Sequence, residues 1–165
     1  MQYTSHYASP LGNILLAADD VGLTGLWLEG QKHFALHLGE EHSEKETPLL
    51  GMAKEWLDIY FAGQKPDSNI PLHFMGTAFQ EEVWQLLCTI PYGSTTTYGE
   101  IAQRVAAQRG LPHMSAQAIG SAIGHNSIAI IVPCHRVIGK NGSLTGYAGG
   151  MDKKARLLAL EGIVL

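Results

Sequence analysis

The sequence predicts a mixed α+β chain with two domains. A small β-sheet domain with a helix occupies residues 1–70, and a mainly helical domain occupies residues 71–165. Three observations predict this organisation. Strand-like runs separated by turn formers fill the first 28 residues, whereas apolar residues recur with helical periodicity after residue 76. Between these regions, residues 65–71 are polar and contain two prolines, which is typical of a linker.

The N-terminal domain is predicted to be built on three strands. Residues 3–8 and 13–18 read as two of them, because the turn formers Ser-Pro-Leu-Gly at residues 9–12 separate two runs of strand-like composition. Residues 21–28 supply the third strand.

Helical structure is predicted to follow these strands. Residues 32–38 favour a short helix, and residues 39–47 form an acidic loop. Residues 48–61 fit an amphipathic helix that ends before Gly63. Its buried face is predicted to contain Met52, Trp56, Ile59 and Tyr60.

The C-terminal domain is predicted to contain helices at residues 79–90, 98–108, 116–124 and 152–160. Ser115 can cap the third of these helices, whose residues are mostly small. Residues 137–138 and 144–145 flank a Lys-Asn-Gly-Ser turn and predict a hairpin. This order is that of a winged helix-turn-helix, which places its second helix in a DNA groove, although an ordinary helical pair fits the same pattern.

Residues 128–136 contain a candidate nucleophile. An apolar run of strand character ends at Pro133 and is followed at once by Cys134, His135 and Arg136. A thiol is a strong nucleophile as the thiolate, and a neighbouring imidazole or cation lowers its pKa. For an isolated Cys-His pair, a buried structural cysteine with a chance histidine neighbour is the favoured interpretation, so the nucleophile needs support from the rest of the chain.

Composition and charge exclude several classes of protein. The chain has 165 residues, of which 45% are hydrophobic and 16% charged, and this balance is typical of an ordered globular protein. No apolar run is long enough to span a bilayer. Cys88 lies in the apolar series of a helix and is expected in the core, and the eight histidines show no zinc-binding spacing. We therefore expect no disulfide, metal, cofactor or membrane partner. We also expect the protein to be located in the reducing cytoplasm.

Six segments of the chain together resemble the O6-alkylguanine-DNA alkyltransferase family, also called methylated-DNA–protein-cysteine methyltransferases. They are GTAFQEEVW (76–84), IPYGSTTTYGEIA (90–102), IGSAIGHN (119–126), IVPCHRVIG (131–139), NGSLTGYAGG (141–150) and LLALEG (157–162). They follow the family order over nearly all of residues 76–162. Residues 1–70 resemble the family's ribonuclease H-like N-terminal domain more loosely.

The resemblance implies a monomeric DNA repair protein that transfers an alkyl group, such as methyl, irreversibly from O6-alkylguanine to its own cysteine. By position, Cys134 is the acceptor, His135 the base acting through a water, and Glu161 the group that orients the histidine. Asn126 would brace the active-site turn, and Tyr98 would donate a hydrogen bond to the departing base. O4-Methylthymine is an additional candidate substrate.

The resemblance also implies how the substrate is held. The alkylated guanine would be flipped out of double-stranded DNA, bound from the minor groove, into a pocket that includes Val137, Tyr147, Ala148 and Gly149. The implied DNA-binding residues are Ser115, Ala116, Gln117, Ser121 and Arg136.

Two departures from the family pattern concern DNA binding. Gln117 stands where the family usually has an arginine that fills the gap left by the flipped base. Residues 108–114 are an apparent insertion between two helices, in which Arg109 and His113 are candidate phosphate contacts.

Two alternative functions are weighed against this interpretation. One is a non-enzymatic relative that binds alkylated DNA and flags it for another pathway, but such relatives lack the acceptor cysteine that Cys134 supplies. The other is a cysteine hydrolase or thiol redox enzyme, which lacks support because the chain has no Cys-x-x-Cys motif.

Overall fold

The structure, a computed structural model, describes residues 1–164 and forms two compact units. Residues 1–75 and 127–129 form the first unit, and residues 76–126 together with those from 130 onward form the second. The first contains a four-stranded sheet and a helix, and the second contains further helices and a short two-stranded ladder. The predicted α+β class is therefore confirmed.

The first unit is built on the sheet order β3-β2-β1-β4. Its strands are β1 (Gln2–Ser9), β2 (Gly12–Ala18), β3 (Leu23–Leu28) and β4 (His42–Glu44). The first three form antiparallel pairs, as expected for strands joined by short turns, whereas β4 runs parallel to β1. All six residues of β3 are buried, so this strand lies in the core of the unit. The three predicted strands are confirmed, and β4 lies within the segment predicted to be a loop.

The helix of this unit, α1 (Pro48–Phe61), has the predicted bounds but buries a different face. Its buried residues are Leu50, Ala53, Leu57 and Tyr60. Met52 and Ile59, which were predicted to be buried, are 39% and 38% exposed. The prediction is confirmed for Tyr60 and wrong for Met52 and Ile59, because apolar residues lie on both sides of this helix and the periodicity fits either one.

The helix predicted at residues 32–38 is absent. His33, Ala35 and His37 have positive φ angles of 57°, 58° and 70°. Alternating left-handed residues are incompatible with a right-handed helix, so the segment folds as a series of turns.

The first unit extends beyond the predicted linker and includes a distant segment. The backbone N–H of Leu23 donates to the Pro71 carbonyl over 2.8 Å, and the N–H of His73 donates to the Leu23 carbonyl over 2.8 Å. On β3, the N–H of Leu26 donates to the Ser127 carbonyl over 2.8 Å, and its carbonyl accepts from Ala129 over 3.0 Å. The continuous part of the unit therefore extends past residue 71 and ends at residue 75.

The second unit contains α2 (Ala78–Leu87), α3 (Tyr98–Arg109), α4 (Ala116–Gly124) and α5 (Met151–Leu160). These match the four predicted helices, with small differences at their ends. Cys88 is exposed, which corrects the expectation that it lies in the core, because α2 ends before it.

The segment around the cysteine and the turn after it differ from the prediction. In residues 128–133 only Ile128 makes a β-bridge, and Ile130 has φ 69°, so the apolar run is a buried series of turns rather than a strand. The predicted hairpin is also wrong. β6 (Val137–Ile138) pairs in parallel with β5 (Thr96–Thr97), and residues 144–145 form no strand. The predicted turn is nevertheless present, because the Gly139 N–H donates to the Ser143 carbonyl over 2.8 Å.

Candidate active site

Cys134 opens a single 3-10 turn, Cys134–Arg136, directly after Pro133. Its backbone N–H donates to the Val132 carbonyl over 2.8 Å, and the Asn126 side-chain amide donates to the same carbonyl over 3.0 Å. Asn126 follows α4 and is itself buried. The amide therefore fixes the backbone that presents the thiol, which is 7% exposed as a residue.

A second set of contacts joins the same turn to the end of α5. His135 Nε2 lies 2.5 Å from Glu161 Oε2, and Arg136 Nε donates to Glu161 Oε1 over 2.8 Å. The backbone N–H of Gly93 also donates to Oε1, over 3.0 Å. Arg136 donates a further hydrogen bond to the Ile90 carbonyl over 2.7 Å. One buried carboxylate thus accepts three hydrogen bonds, which is how a buried anion is stabilised.

These contacts set the charge states of the histidine and the glutamate. Burial alone would raise the pKa of Glu161, but hydrogen bonds from His135, Arg136 and Gly93 lower it to about 2. Burial lowers the pKa of His135, against the opposing effect of Glu161. Because an ionised carboxylate only accepts hydrogen bonds, His135 donates from Nε2. A neutral His135 then carries its lone pair on Nδ1, as a general base requires.

A buried lysine, which the sequence reasoning missed, lies on the same helix. Lys154 is 0% exposed, and its ammonium donates to the Val137 carbonyl over 2.5 Å and to the Thr145 carbonyl over 2.8 Å. Burial lowers its pKa to about 8, while the charge of Cys134 opposes that change. The sequence contained a signal for it, because Lys154 precedes Leu157 and Leu158 by three and four residues and so lies on the apolar stripe of α5.

Two tyrosines lie near the thiol. The Tyr98 hydroxyl donates to the Thr145 carbonyl over 2.9 Å and lies 3.3 Å from the Gly146 carbonyl. The Tyr147 hydroxyl is buried, and no hydrogen-bond partner reaches it from residues 1–164. Burial raises the pKa of each tyrosine, and the Cys134 charge raises it further. Both phenols are therefore protonated and able to donate hydrogen bonds near Cys134.

The electrostatics of Cys134 combine opposing effects. Burial is the largest effect and raises the pKa of the thiol above its ordinary value, although the Asn126 side chain, the Lys154 charge and nearby backbone N–H groups oppose it. Ala148 and Gly149 lie in the partly exposed loop between Tyr147 and α5. The structure thus brings a buried thiol, an imidazole, a carboxylate and two phenols into one unit.

Comparison with known proteins gives the family. The model of the 6-O-methylguanine DNA methyltransferase DNA-binding domain matches residues 78–163, and that of the ribonuclease-like domain of the same proteins matches residues 2–74. The chain belongs to the 6-O-methylguanine DNA methyltransferase family.

Relatives and solved structures in this family are similar over most of the chain. A methylated-DNA–protein-cysteine methyltransferase of Mycolicibacterium paratuberculosis is 47% identical over 93% of this chain and 88% of its own length. One from Methanosarcina acetivorans is 46% identical over 97% of this chain and 98% of its own. The crystal structure of Mycobacterium tuberculosis OGT in complex with DNA matches with a TM-score of 0.82 and 43% identity, covering 96% of this chain and 92% of that one.

Helix α4 of this methyltransferase-family chain presents an exposed, mostly small-residue face. Ser115 caps it by accepting from Ala118 N–H over 3.2 Å. Ala116, Gln117 and Ser121 are exposed on the helix. Four of the five residues expected to contact DNA therefore lie at one surface.

The fifth residue, Arg136, is not exposed. It is buried, pairs with Glu161, and its guanidinium lies 5.7 Å from the centroid of the Tyr92 ring. The expectation that it contacts DNA is therefore corrected, because its charge is used inside the active-site cluster. Arg109, the other candidate cation, pairs with Glu82 over 2.7 Å.

Within residues 1–164, the structure contains neither a membrane-spanning helix nor a cluster of metal ligands. Within residues 1–164, no helix is both long enough and apolar enough to cross a bilayer. In the same part of the chain, no three His, Cys, Asp or Glu side chains are arranged to hold a metal ion.

Proposed function

We propose that this protein repairs DNA by moving an alkyl group, typically methyl, from O6 of guanine irreversibly to the Cys134 sulfur. The observation that carries the proposal is the buried thiol beside a His135–Glu161 pair whose Nε2–Oε2 distance is 2.5 Å. A soft thiolate with a neighbouring base suits attack on an alkyl carbon. Membership of the methyltransferase family supports the same reaction.

The reaction is a single displacement. The thiol proton passes to His135 through a water, and the thiolate sulfur forms a bond to the alkyl carbon as the bond from that carbon to O6 breaks. The electron pair of the broken bond stays on guanine, whose developing charge is neutralised by a hydrogen bond from Tyr98. The product is a thioether that no group in the site can cleave, so each protein molecule reacts once.

The flipped base is held in a pocket beside the thiol. The backbone groups of Cys134, Val137 and Ala148 read its edge, and Tyr147 with Gly149 shapes the opening. To reach the base, the Tyr98 hydroxyl exchanges its hydrogen bond to the Thr145 carbonyl for one to guanine. A lesion that pairs badly lowers the cost of flipping, which favours damaged over normal guanine.

DNA binding is assigned to the exposed face of α4. Its small residues, Ser115, Ala116 and Ser121, allow the helix to lie close to the floor of the minor groove. Gln117 fills the space left by the flipped base without adding charge. We assign this activity to a monomer.

Mass spectrometry tests this function directly. After incubation with duplex DNA containing O6-methylguanine, we expect one added methyl group on the tryptic peptide that holds Cys134, and none on the peptide that holds Cys88. Cys134→Ala should abolish transfer and keep binding to the lesion, whereas Cys88→Ala, the matched control, should transfer normally. A parallel duplex with O4-methylthymine tests the second candidate substrate. An unmodified Cys134 peptide with intact DNA binding would contradict the proposal and favour a protein that only flags lesions.

A further inference from the structure

Four buried ionisable groups with fixed partners lie in the same unit as Cys134. His135, Arg136, Lys154 and Glu161 are each at most 7% exposed. His135 is neutral at pH 7 because burial lowers its pKa. The negative charge of Glu161 is matched by Arg136 at 2.8 Å. The ammonium of Lys154 is then the one unmatched charge of this group.

Lys154 has polar partners but no acidic partner. Its ammonium donates to two backbone carbonyls and lies 5.8 Å from the centroid of the Tyr98 ring. Within residues 1–164 no carboxylate forms an ion pair with it. A buried cation is costly unless an anion compensates it, and carbonyl dipoles supply only part of that compensation. The group that can supply the missing charge is Cys134, which begins the turn that holds the ammonium: the Val137 N–H donates to the Cys134 carbonyl, and the Val137 carbonyl accepts from Lys154. The interaction of Cys134 with Lys154 favours the ionised form of each.

We propose that Lys154 is a positioning residue whose buried ammonium is the counter-charge of the Cys134 thiolate. The carbonyls of Val137 and Thr145 hold the ammonium in place, and the ammonium and the ionised sulfur together carry no net charge. His135 accepts the proton that the thiol loses, and Lys154 stabilises the charge that remains. The inference rests on the proposed function only where it concerns alkyl transfer from DNA, since ionisation of the thiol requires neither DNA nor a lesion.

The effects of Lys154 and Cys134 on each other's ionisation are reciprocal. If Lys154 favours the thiolate, the thiolate favours the ammonium by the same free energy. The other titratable groups facing Cys134 are the phenols of Tyr98 and Tyr147, which remain protonated because burial raises their pKa values. His135, Arg136 and Glu161 are already paired as described, so the effect of Lys154 can be isolated by changing that residue alone.

The test measures ionisation of Cys134 by its reaction with iodoacetamide across pH, in a Cys88→Ser background that leaves one thiol. Lys154→Gln removes the charge but keeps N–H donors for the two carbonyls, and Lys154→Met removes both. We expect each variant to raise the midpoint of the pH profile by about one unit or more, with a roughly tenfold slower reaction at pH 7. Lys153→Gln, on the adjacent position of α5, is the matched control and should leave the midpoint unchanged.

A midpoint that stays the same in folded Lys154→Gln would overturn the inference and leave Lys154 with a structural role. A measurement on the unsubstituted lysine guards against misfolding of the variants. In the Cys88→Ser background, alkylation of Cys134 with iodoacetamide should lower the pKa of Lys154, followed by NMR of labelled lysine, and an unchanged pKa would also contradict the proposal. Methyl transfer from DNA is scored separately, so failure of the repair function is distinguished from failure of this inference.

Discussion

At the scale of single residues, Glu161 determines the electrostatics of the site. Its carboxylate accepts from His135, Arg136 and Gly93, and the side chain is fully buried. Removing one member of a buried charge pair leaves the other uncompensated, which is far more costly than removing an exposed charge. Stability and chemistry therefore depend on the same side chain.

We expect Glu161→Gln to lower the free energy of unfolding by about 3 kcal/mol, because Arg136 loses its counter-charge inside the protein. Alkyl transfer should also slow, since the amide no longer holds His135 in one tautomer. Urea denaturation and the rate of methyl transfer measure the two effects. Glu100→Gln, at an exposed glutamate on α3, is the matched control and should change stability by less than about 1 kcal/mol. Equal effects of the two substitutions would remove Glu161 from the centre of the network.

Sequence reasoning identified part of this site and missed the rest for a physical reason. Cys134 and His135 are adjacent in the chain, and their chemistry can be inferred from the residue types alone. Lys154 was missed because its importance comes from burial without an acidic partner, a property of the folded core. Arg136 was misassigned to DNA for the same reason, since nothing local shows that its charge is matched by Glu161.

At the scale of elements, local signals determined what could be predicted. Helix α4 has the predicted bounds because its start is marked by Ser115, a residue that caps a helix. The strand predicted before Cys134 and the hairpin predicted after it are both wrong. Apolar residues fill the core equally well in turns, and β6 takes its partner from β5, which lies about 40 positions earlier in the chain.

The exposed face of α4 leads to a prediction about base flipping. Gln117→Ala should slow methyl transfer from duplex DNA on the order of tenfold and leave transfer from the free O6-methylguanine base unchanged, because only the duplex requires the gap to be filled. Rates on the two substrates give the comparison. Gln85→Ala, at an exposed glutamine on α2, is the control for loss of a surface amide. Equal slowing on both substrates would exclude Gln117 from flipping.

At the scale of the whole molecule, the buried cluster makes stability depend on pH. The folded-state pKa of Glu161 is about 2, below the ordinary value of 4.5. A depressed carboxyl pKa contributes stability that is fully present above the unfolded-state value and is lost as pH falls towards the folded-state value. The neutral, buried His135 acts in the same direction, because its lowered pKa means that the unfolded chain takes up its proton first.

Acid should therefore destabilise the protein through Glu161 in a window from about pH 4.5 down to about pH 2. Between about pH 6 and pH 3 we expect the loss attributable to this carboxyl to be roughly 2 kcal/mol, from linkage with the two pKa values. Urea denaturation at both pH values, in the protein and in Glu161→Gln, isolates the effect, since the variant retains His135 and has no carboxyl to protonate. The variant should lose less stability over this range. Parallel losses in the two proteins would mean that Glu161 is not held as a buried anion. Arg136 would then lack a matching charge, and Lys154 would no longer be the one unmatched cation of the cluster.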